Sequence, residues 1–395
     1  MRDRIYRELR RQGDILLSFV VYFHEKFTGN LGDKVIPNIV GVDIGCGMLV
    51  QPFICNNPID FHALNEYILR AIPSGRDFRD ENYLPLSQKY SDIYQNAKQL
   101  ILQLRCYREL KEVRRLYKSI GSLGSGNHFI ELDKDESDLY YLVVHTGSRN
   151  LGKQVADIYQ KLAVKCQSGW DKLMVEKNRI IEEYKQAGRK SELQDVIRNL
   201  HNSFKTCKLT IPQDLCYLQG QFREDYLHDM HICQCWAQIN RKLIVNLIMD
   251  FIVGKGLASS EEHFQPFESV HNYIGNDNII RKGAISARLG EKCIIPLNMR
   301  DGSLICIGKG NEDWNFSAPH GAGRLMSHSQ AFKEISLEDF KKSMEDVYSE
   351  TVTEYTKDES PMVYKSKREI MNNIKGTVDI ETVIKPVFNF KAADI

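Results

Sequence analysis

Glycine-rich loops set against short apolar runs constrain this chain more than any other feature, and they recur near residues 36–54, 119–152 and 280–324. Each stretch pairs a strand-like run with a loop whose glycines permit tight or left-handed turns. Residues 153–260, between the second and third, read mostly helical. Val155, Ile158, Leu162 and Trp170 keep helical spacing within Gln154–Ala187. Apolar residues then recur at three and four from Tyr226 to Phe251 and stop before Gly254. Glu182–Lys208 is charged and weakly periodic, as a solvated helical hairpin would be. No Pro/Gly/Ser linker or repeat divides the 395 residues. The expected fold class is therefore α+β, a single domain over 1–395 with a mainly helical insertion at 153–260.

Charge narrows the function classes. Lys+Arg 53 against Asp+Glu 52 leaves a formal net charge of +1. This excludes a histone-like polycation, so any nucleic-acid contact has to come from a local patch. The longest apolar runs, Ile15–Phe23 and Leu243–Val253, fall short of the roughly 20 residues that cross a bilayer. Met1–Gly13 is arginine-rich and has no signal-peptide hydrophobic segment. The expectation is a soluble, cytoplasmic protein with no membrane partner. Its ten cysteines are irregularly spaced without a C-x-x-C pair, which predicts thiols, mostly buried, with one or two serving as ligands.

Five short blocks could carry chemistry. Gly41-Val42-Asp43-Ile44-Gly45-Cys46-Gly47-Met48 places a carboxylate and a thiol three apart between glycines, a pair able to share one metal ion. A glycine turn with a buried cysteine is the equal rival reading. Gly121-Ser122-Leu123-Gly124-Ser125-Gly126-Asn127-His128 runs into the strand-like Phe129-Ile130-Glu131-Leu132, and such a loop can turn N–H groups toward phosphate. Leu139–Val144 reads as a buried strand ending at His145, followed by a glycine loop to Gly152 and a helix. His271-Asn272 and Ser317-Ala318-Pro319-His320-Gly321-Ala322-Gly323-Arg324 complete the set. A histidine among small residues admits a phosphoryl group, and an adjacent arginine can neutralise its charge. No Walker motif exists, because none of Gly152-Lys153, Gly254-Lys255 or Gly308-Lys309 is followed by Ser or Thr. His231 and Cys235 share a helix face, but an ordinary amphipathic helix explains them better than zinc does. His24, His62, His201, His263 and His328 have no ligand-like company in the sequence.

Taken in order, these blocks resemble the RtcB family of RNA ligases, over about residues 36–391. The matches are Gly41–Met48, Gly121–Glu131, His145–Gly152, His271-Asn272, Arg281–Ala284, Gly308–Glu312 and His320–Arg324. The resemblance implies mixed β-sheets around a metal site with two divalent ions, usually Mn²⁺, with Zn²⁺ or Co²⁺ as substitutes. Their ligands would be Asp43, a bridging Cys46, His128, His145 and His271. It also implies GTP as cosubstrate and His320 as the nucleophile that accepts GMP. The RNA partner would carry a 3′-phosphate or 2′,3′-cyclic phosphate end, to be joined to a 5′-hydroxyl. Family nucleotide contacts carry over to Asn127, His128, Glu131, Asn272, Pro296, Met299, Ser303, His320, Gly321, Ala322, Gly323, Arg324, Tyr364 and Lys391. Glu131 and Lys391 would offer an acceptor and a donor to a guanine edge, favouring GTP over ATP. The K-x-D-G tetrapeptide of lysine-nucleotidylating ligases is absent from the chain.

Three departures bear on substrate preference. Val21–Pro37 lacks the family's M-P-D-V-H-x-G block, the P-G-S-M-G segment reads Pro296-Leu297-Asn298-Met299-Arg300, and four residues follow Lys391. The shorter form looks like the branch associated with a peptide-release-factor homologue, which implies repair of damaged RNA, ribosomal RNA included. An RNA-binding face would draw on Arg149, Arg114 and Arg115, the latter two in a run with Arg105, Arg108, Lys111 and Lys118. Glu109 and Glu112 within that run make a solvated helix the equal rival. Two other functions remain open at this level: a metal-dependent 2′,3′-cyclic phosphodiesterase, and a non-catalytic RNA- or ribosome-binding protein.

Overall fold

A computed structural model of the chain describes residues 17–23, 26–204, 207–258 and 264–392. His24, His263 and the arginine-rich start lie outside the described residues. The fold is α+β. Its centre is a seven-stranded sheet in the order Lys292–Asn298, Gly302–Gly308, Val378–Lys391, Phe129–Lys134, Tyr140–Thr146, Gly47–Phe53 and Phe267–Val270. Neighbouring strands run antiparallel. A parallel bridge, Tyr348 to Phe388, lies beside the long strand. The sheet curls until its edges meet, and Ser269 Oγ on one edge accepts from Ile294 N on the other at 2.9 Å. This near-closure removes most of the exposed edge that an open sheet would leave.

Strand alternation divides the side chains between two environments. Along Phe129–Lys134, Ile130 and Leu132 enter the main core outside the sheet, whereas Phe129 joins the inner cluster of Met48, Val50, Tyr141, Val143, Ile294, Ile305 and Ile384. The outer core is closed by the helices Phe61–Ala71, Arg149–Lys165 and Gly220–Gly254, the last burying Trp236, Ile244 and Ile248. A second outer cluster packs Ile370 and Ile374, at the short helix Lys367–Asn373, against Ile295, Leu304 and Cys306.

Residues 153–260 are largely helical, with one break in the expected periodicity. The Gln154–Ala187 run divides into Arg149–Lys165 and Asp171–Gln186, because Gly169 takes φ 97° inside the intervening turn. Asp171–Gln186 and Leu193–Ser203 pack together as a charged hairpin carrying ion pairs such as Arg179–Glu183. The long helix extends slightly beyond its expected end, through Gly254. The basic run at 105–118 is not one helix. It forms a 3₁₀ turn at Tyr107–Glu109 and a single short helix at Val113–Lys118. No disulfide is formed, and most of the cysteines are buried thiols.

Candidate metal centre and nucleotide cleft

The Asp43–Cys46 loop owes its shape to glycine and to its neighbours. Gly41 and Gly45 take φ of 86° and 68°, in the left-handed region. A Cβ on Gly47 would run into the Ser269 backbone. Backbone bonds then join the loop to the His271 segment: Gly45 N donates to Asn272 O at 3.0 Å and His271 N to Cys46 O at 2.7 Å. Beneath the loop lies Arg241 of the long helix, 1% exposed. Its guanidinium donates to Gly45 O and Thr146 O, each at 2.8 Å, and to Glu268 Oε1 at 2.6 Å. Ser148 Oγ donates to Ile44 O at 2.6 Å. Sheet and helices together therefore hold the loop on several sides.

Onto this loop the fold brings the histidines from separate segments. His145 is the next-to-last residue of its strand, opposite Phe129, and His128 immediately precedes Phe129. Cys46 Sγ lies 3.3 Å from His128 Nε2 and 3.3 Å from His145 Nε2. His128 Nε2 is 3.1 Å from Asp43 Oδ2, and His145 Nε2 is 3.4 Å from His271 Nε2. Two overlapping donor sets result, Asp43–Cys46–His128 and Cys46–His145–His271, each within 4.8 Å, and Cys46 belongs to both. His145 Nδ1 sits 2.9 Å from Asn127 O. A carbonyl only accepts, so Nδ1 carries the proton and Nε2 turns its lone pair to the cluster, as a metal-ligating histidine requires.

Electrostatics agree with this arrangement. Burial, reinforced by His128, pushes His145 down to about 3, and burial with His320 and His145 holds His271 well below its ordinary value. Both imidazoles are thus in the neutral, ligating form. Burial alone would raise the Asp43 carboxyl, but the adjacent His128 outweighs it and holds Asp43 low. Burial and then Asp43 push the Cys46 thiol far up. A dication between these groups would reverse that shift and release the thiol proton. Thiolate and imidazole with one carboxylate suit Mn, Zn or Co.

A cleft opens beside the cluster. Of the residues proposed for nucleotide contact, Asn127, Glu131, Pro296, Met299, His320, Gly321, Ala322, Tyr364 and Lys391 line it. His320 packs against the cluster, its ring tilted on that of His271 with the centroids 4.4 Å apart. The remaining candidates sit elsewhere. His128 is in the metal cluster, Asn272 Oδ1 accepts from Gly283 N at 3.1 Å, and Ser303 is wholly buried within its strand. Gly323 O accepts from Lys365 N at 3.0 Å. Arg324 is held by Glu359 at 3.1 Å and by the Asp358 carbonyl. Arg149 spans the glycine loop, donating to Ser122 Oγ at 3.1 Å and Gly75 O at 2.7 Å. Arg115 lies over Phe78 and near Glu112, and Arg114 is exposed.

Glu359 and Asn389, which also line the cleft, were not singled out from sequence. An isolated glutamate in a charged stretch and an asparagine in a strand carry no local signal of their role. His328, expected to be without company, is 2.6 Å from Asp358 Oδ2 and groups with Asp358 and Glu359. His62 likewise pairs with Glu350 at 2.9 Å. His231 and Cys235 do approach to 3.6 Å, but among the described residues no third ligand joins them.

Comparison with known proteins agrees with the geometry. The sequence model of the RtcB family, described as tRNA-splicing ligase RtcB, matches residues 25–392. The chain is 28% identical over 378 residues to RNA-splicing ligase RtcB of Escherichia coli (strain K12), covering 89% of this chain and 83% of that one. It is 25% identical over 372 residues to tRNA-splicing ligase RtcB of Methanococcus maripaludis, covering 76% and 69% respectively. To tRNA-splicing ligase RtcB of Aeropyrum pernix it is 27% identical over 247 residues, covering 55% of this chain and 47% of the relative.

Proposed function

Because this chain belongs to the RtcB family, we propose that it is a GTP- and Mn²⁺-dependent RNA ligase that joins 3′-phosphate or 2′,3′-cyclic phosphate ends to 5′-hydroxyl ends through a guanylylated His320. The observation that carries the reading is the contact of His320 with the metal cluster on one side while it lines the cleft on the other. Bound cations would neutralise phosphate charge and polarise the reacting phosphorus. Asp43, Cys46, His128, His145 and His271 are the residues that would hold them.

Neutral His320 attacks the α-phosphorus of GTP, forming a P–N bond as the bond to pyrophosphate breaks. A 3′-phosphate oxygen then attacks the same phosphorus, breaking the P–N bond and leaving the RNA end capped by GMP. The 5′-hydroxyl attacks the 3′-phosphorus and GMP departs. A cyclic end is opened by water beforehand. Glu131 accepts from the guanine N1–H and N2–H groups, and Lys391 donates to O6.

The biological setting completes the proposal: repair of damaged RNA in the cytoplasm, ribosomal RNA included, alongside a release-factor homologue or the ribosome. No helix among the described residues is long and apolar enough to cross a membrane. The test uses GTP labelled at the α-phosphate with Mn²⁺. The protein should acquire acid-labile label, and His320→Ala should acquire none. Equal labelling of the variant would refute His320 as nucleophile. Opening of cyclic ends without GTP and without label would favour a phosphodiesterase instead.

A further inference from the structure

Glu359 lines the cleft. It is 3% exposed and ends the 3₁₀ segment Glu354–Glu359. Three groups converge on its carboxylate: Tyr364 OH at 2.6 Å, Arg324 Nη1 at 3.1 Å and the Lys391 ammonium. The segment is itself anchored. Thr353 N donates to Thr356 Oγ1 at 3.1 Å, and Lys391 N donates to Thr351 Oγ1 at 3.1 Å. Glu131, which lines the same cleft and is also 3% exposed, accepts from Asn389 Nδ2 at 2.8 Å. Asn389 and Lys391 alternate along one strand, opposite Glu131 and Phe129 respectively, so both reach the same face.

A buried ammonium near two buried carboxylates pairs with the one held in place for it. If Lys391 closed onto Glu131, the acceptor and the donor that a guanine edge requires would satisfy each other. We infer that Glu359 is a positioning residue for base recognition: by holding Lys391, it keeps Glu131 and Lys391 apart and leaves both available to guanine. The inference rests on the cleft being a guanine-nucleotide site. Adenine, with an acceptor at N1 and a donor at N6, cannot use that pair in the same way.

GMP and AMP differ only in the base, so their equilibrium binding to the full chain isolates base recognition. Wild type should prefer GMP. Glu359→Gln, which keeps the volume but not the charge, should weaken GMP roughly tenfold or more and leave AMP within about threefold. Glu359→Asp, which keeps the charge, should retain most of the preference. In single-turnover self-guanylylation the Gln variant should raise the GTP concentration giving half-maximal rate while the saturating rate stays within about threefold, a split that general structural damage does not produce. An undiminished GMP preference in Glu359→Gln overturns the inference, as does loss of folded protein in both variants, which would make Glu359 a structural anchor. Absence of GMP preference in wild type would instead remove the guanine reading on which it stands.

Discussion

Cys46 is shared between two donor sets, so its loss should damage both at once. Cys46→Ala is expected to lower Mn²⁺ affinity at each position by roughly a hundredfold or more, since losses of outer partners alone reach that scale. Metal content after dialysis, compared with wild type, checks this. One ion still bound at wild-type affinity would show that the sulfur is not shared. Asp133 makes a different prediction. It is fully buried, neither carboxylate oxygen has a hydrogen-bond partner among the described residues, and burial followed by Glu131 pushes its carboxyl well up. Burial likewise lifts Glu131 to about 7. Above pH 4 the unfolded chain releases these protons while the folded chain still holds them, so stability falls as pH rises from about 4 toward 7 and beyond. Asp133→Asn should therefore gain about 1 kcal/mol or more over wild type at pH 8 and much less at pH 5. Urea unfolding at both values decides it, and a gain that does not grow with pH would refute the account.

Among the elements, the long helix Gly220–Gly254 does more than close the core. Through Arg241 it ties the metal loop, the end of the His145 strand and Glu268 on the edge strand. Arg241→Met would leave Glu268 with only the Gln238 amide as donor and two carbonyls without theirs. A cost of about 3–5 kcal/mol is expected, the scale of breaking a buried ion pair by removing one partner. Chemical denaturation measures it, and a loss under about 1 kcal/mol would mean that the strut is dispensable. The strand Val378–Lys391 shows the opposite case, an element central to the sheet that sequence reading did not place. Its bulge between Pro386 and Phe388 shifts the alternation midway, so no single two-residue period runs through it.

For the whole molecule, metal binding and folding should be coupled. The five proposed ligands come from segments spanning residues 43 to 271, and an unfolded chain cannot gather them. At Mn²⁺ a hundredfold above its dissociation constant, the native state should gain about 2.7 kcal/mol. Thermal unfolding should shift upward with Mn²⁺, return with chelator, and stay nearly unmoved in Cys46→Ala. An equal shift in that variant would place the ions elsewhere. The chain's own order of residues determined the α+β class and the helical middle, and it marked Asp43, Cys46, His128, His145, His271 and His320 as candidates, because glycine loops and histidine-bearing blocks are local patterns. Only the tertiary structure decided that Arg241 braces the Cys46 loop from below and that Glu359 gathers Arg324, Tyr364 and Lys391. Those relations join residues far apart in the chain, and their partners are chosen by sheet register and burial, which no local pattern encodes.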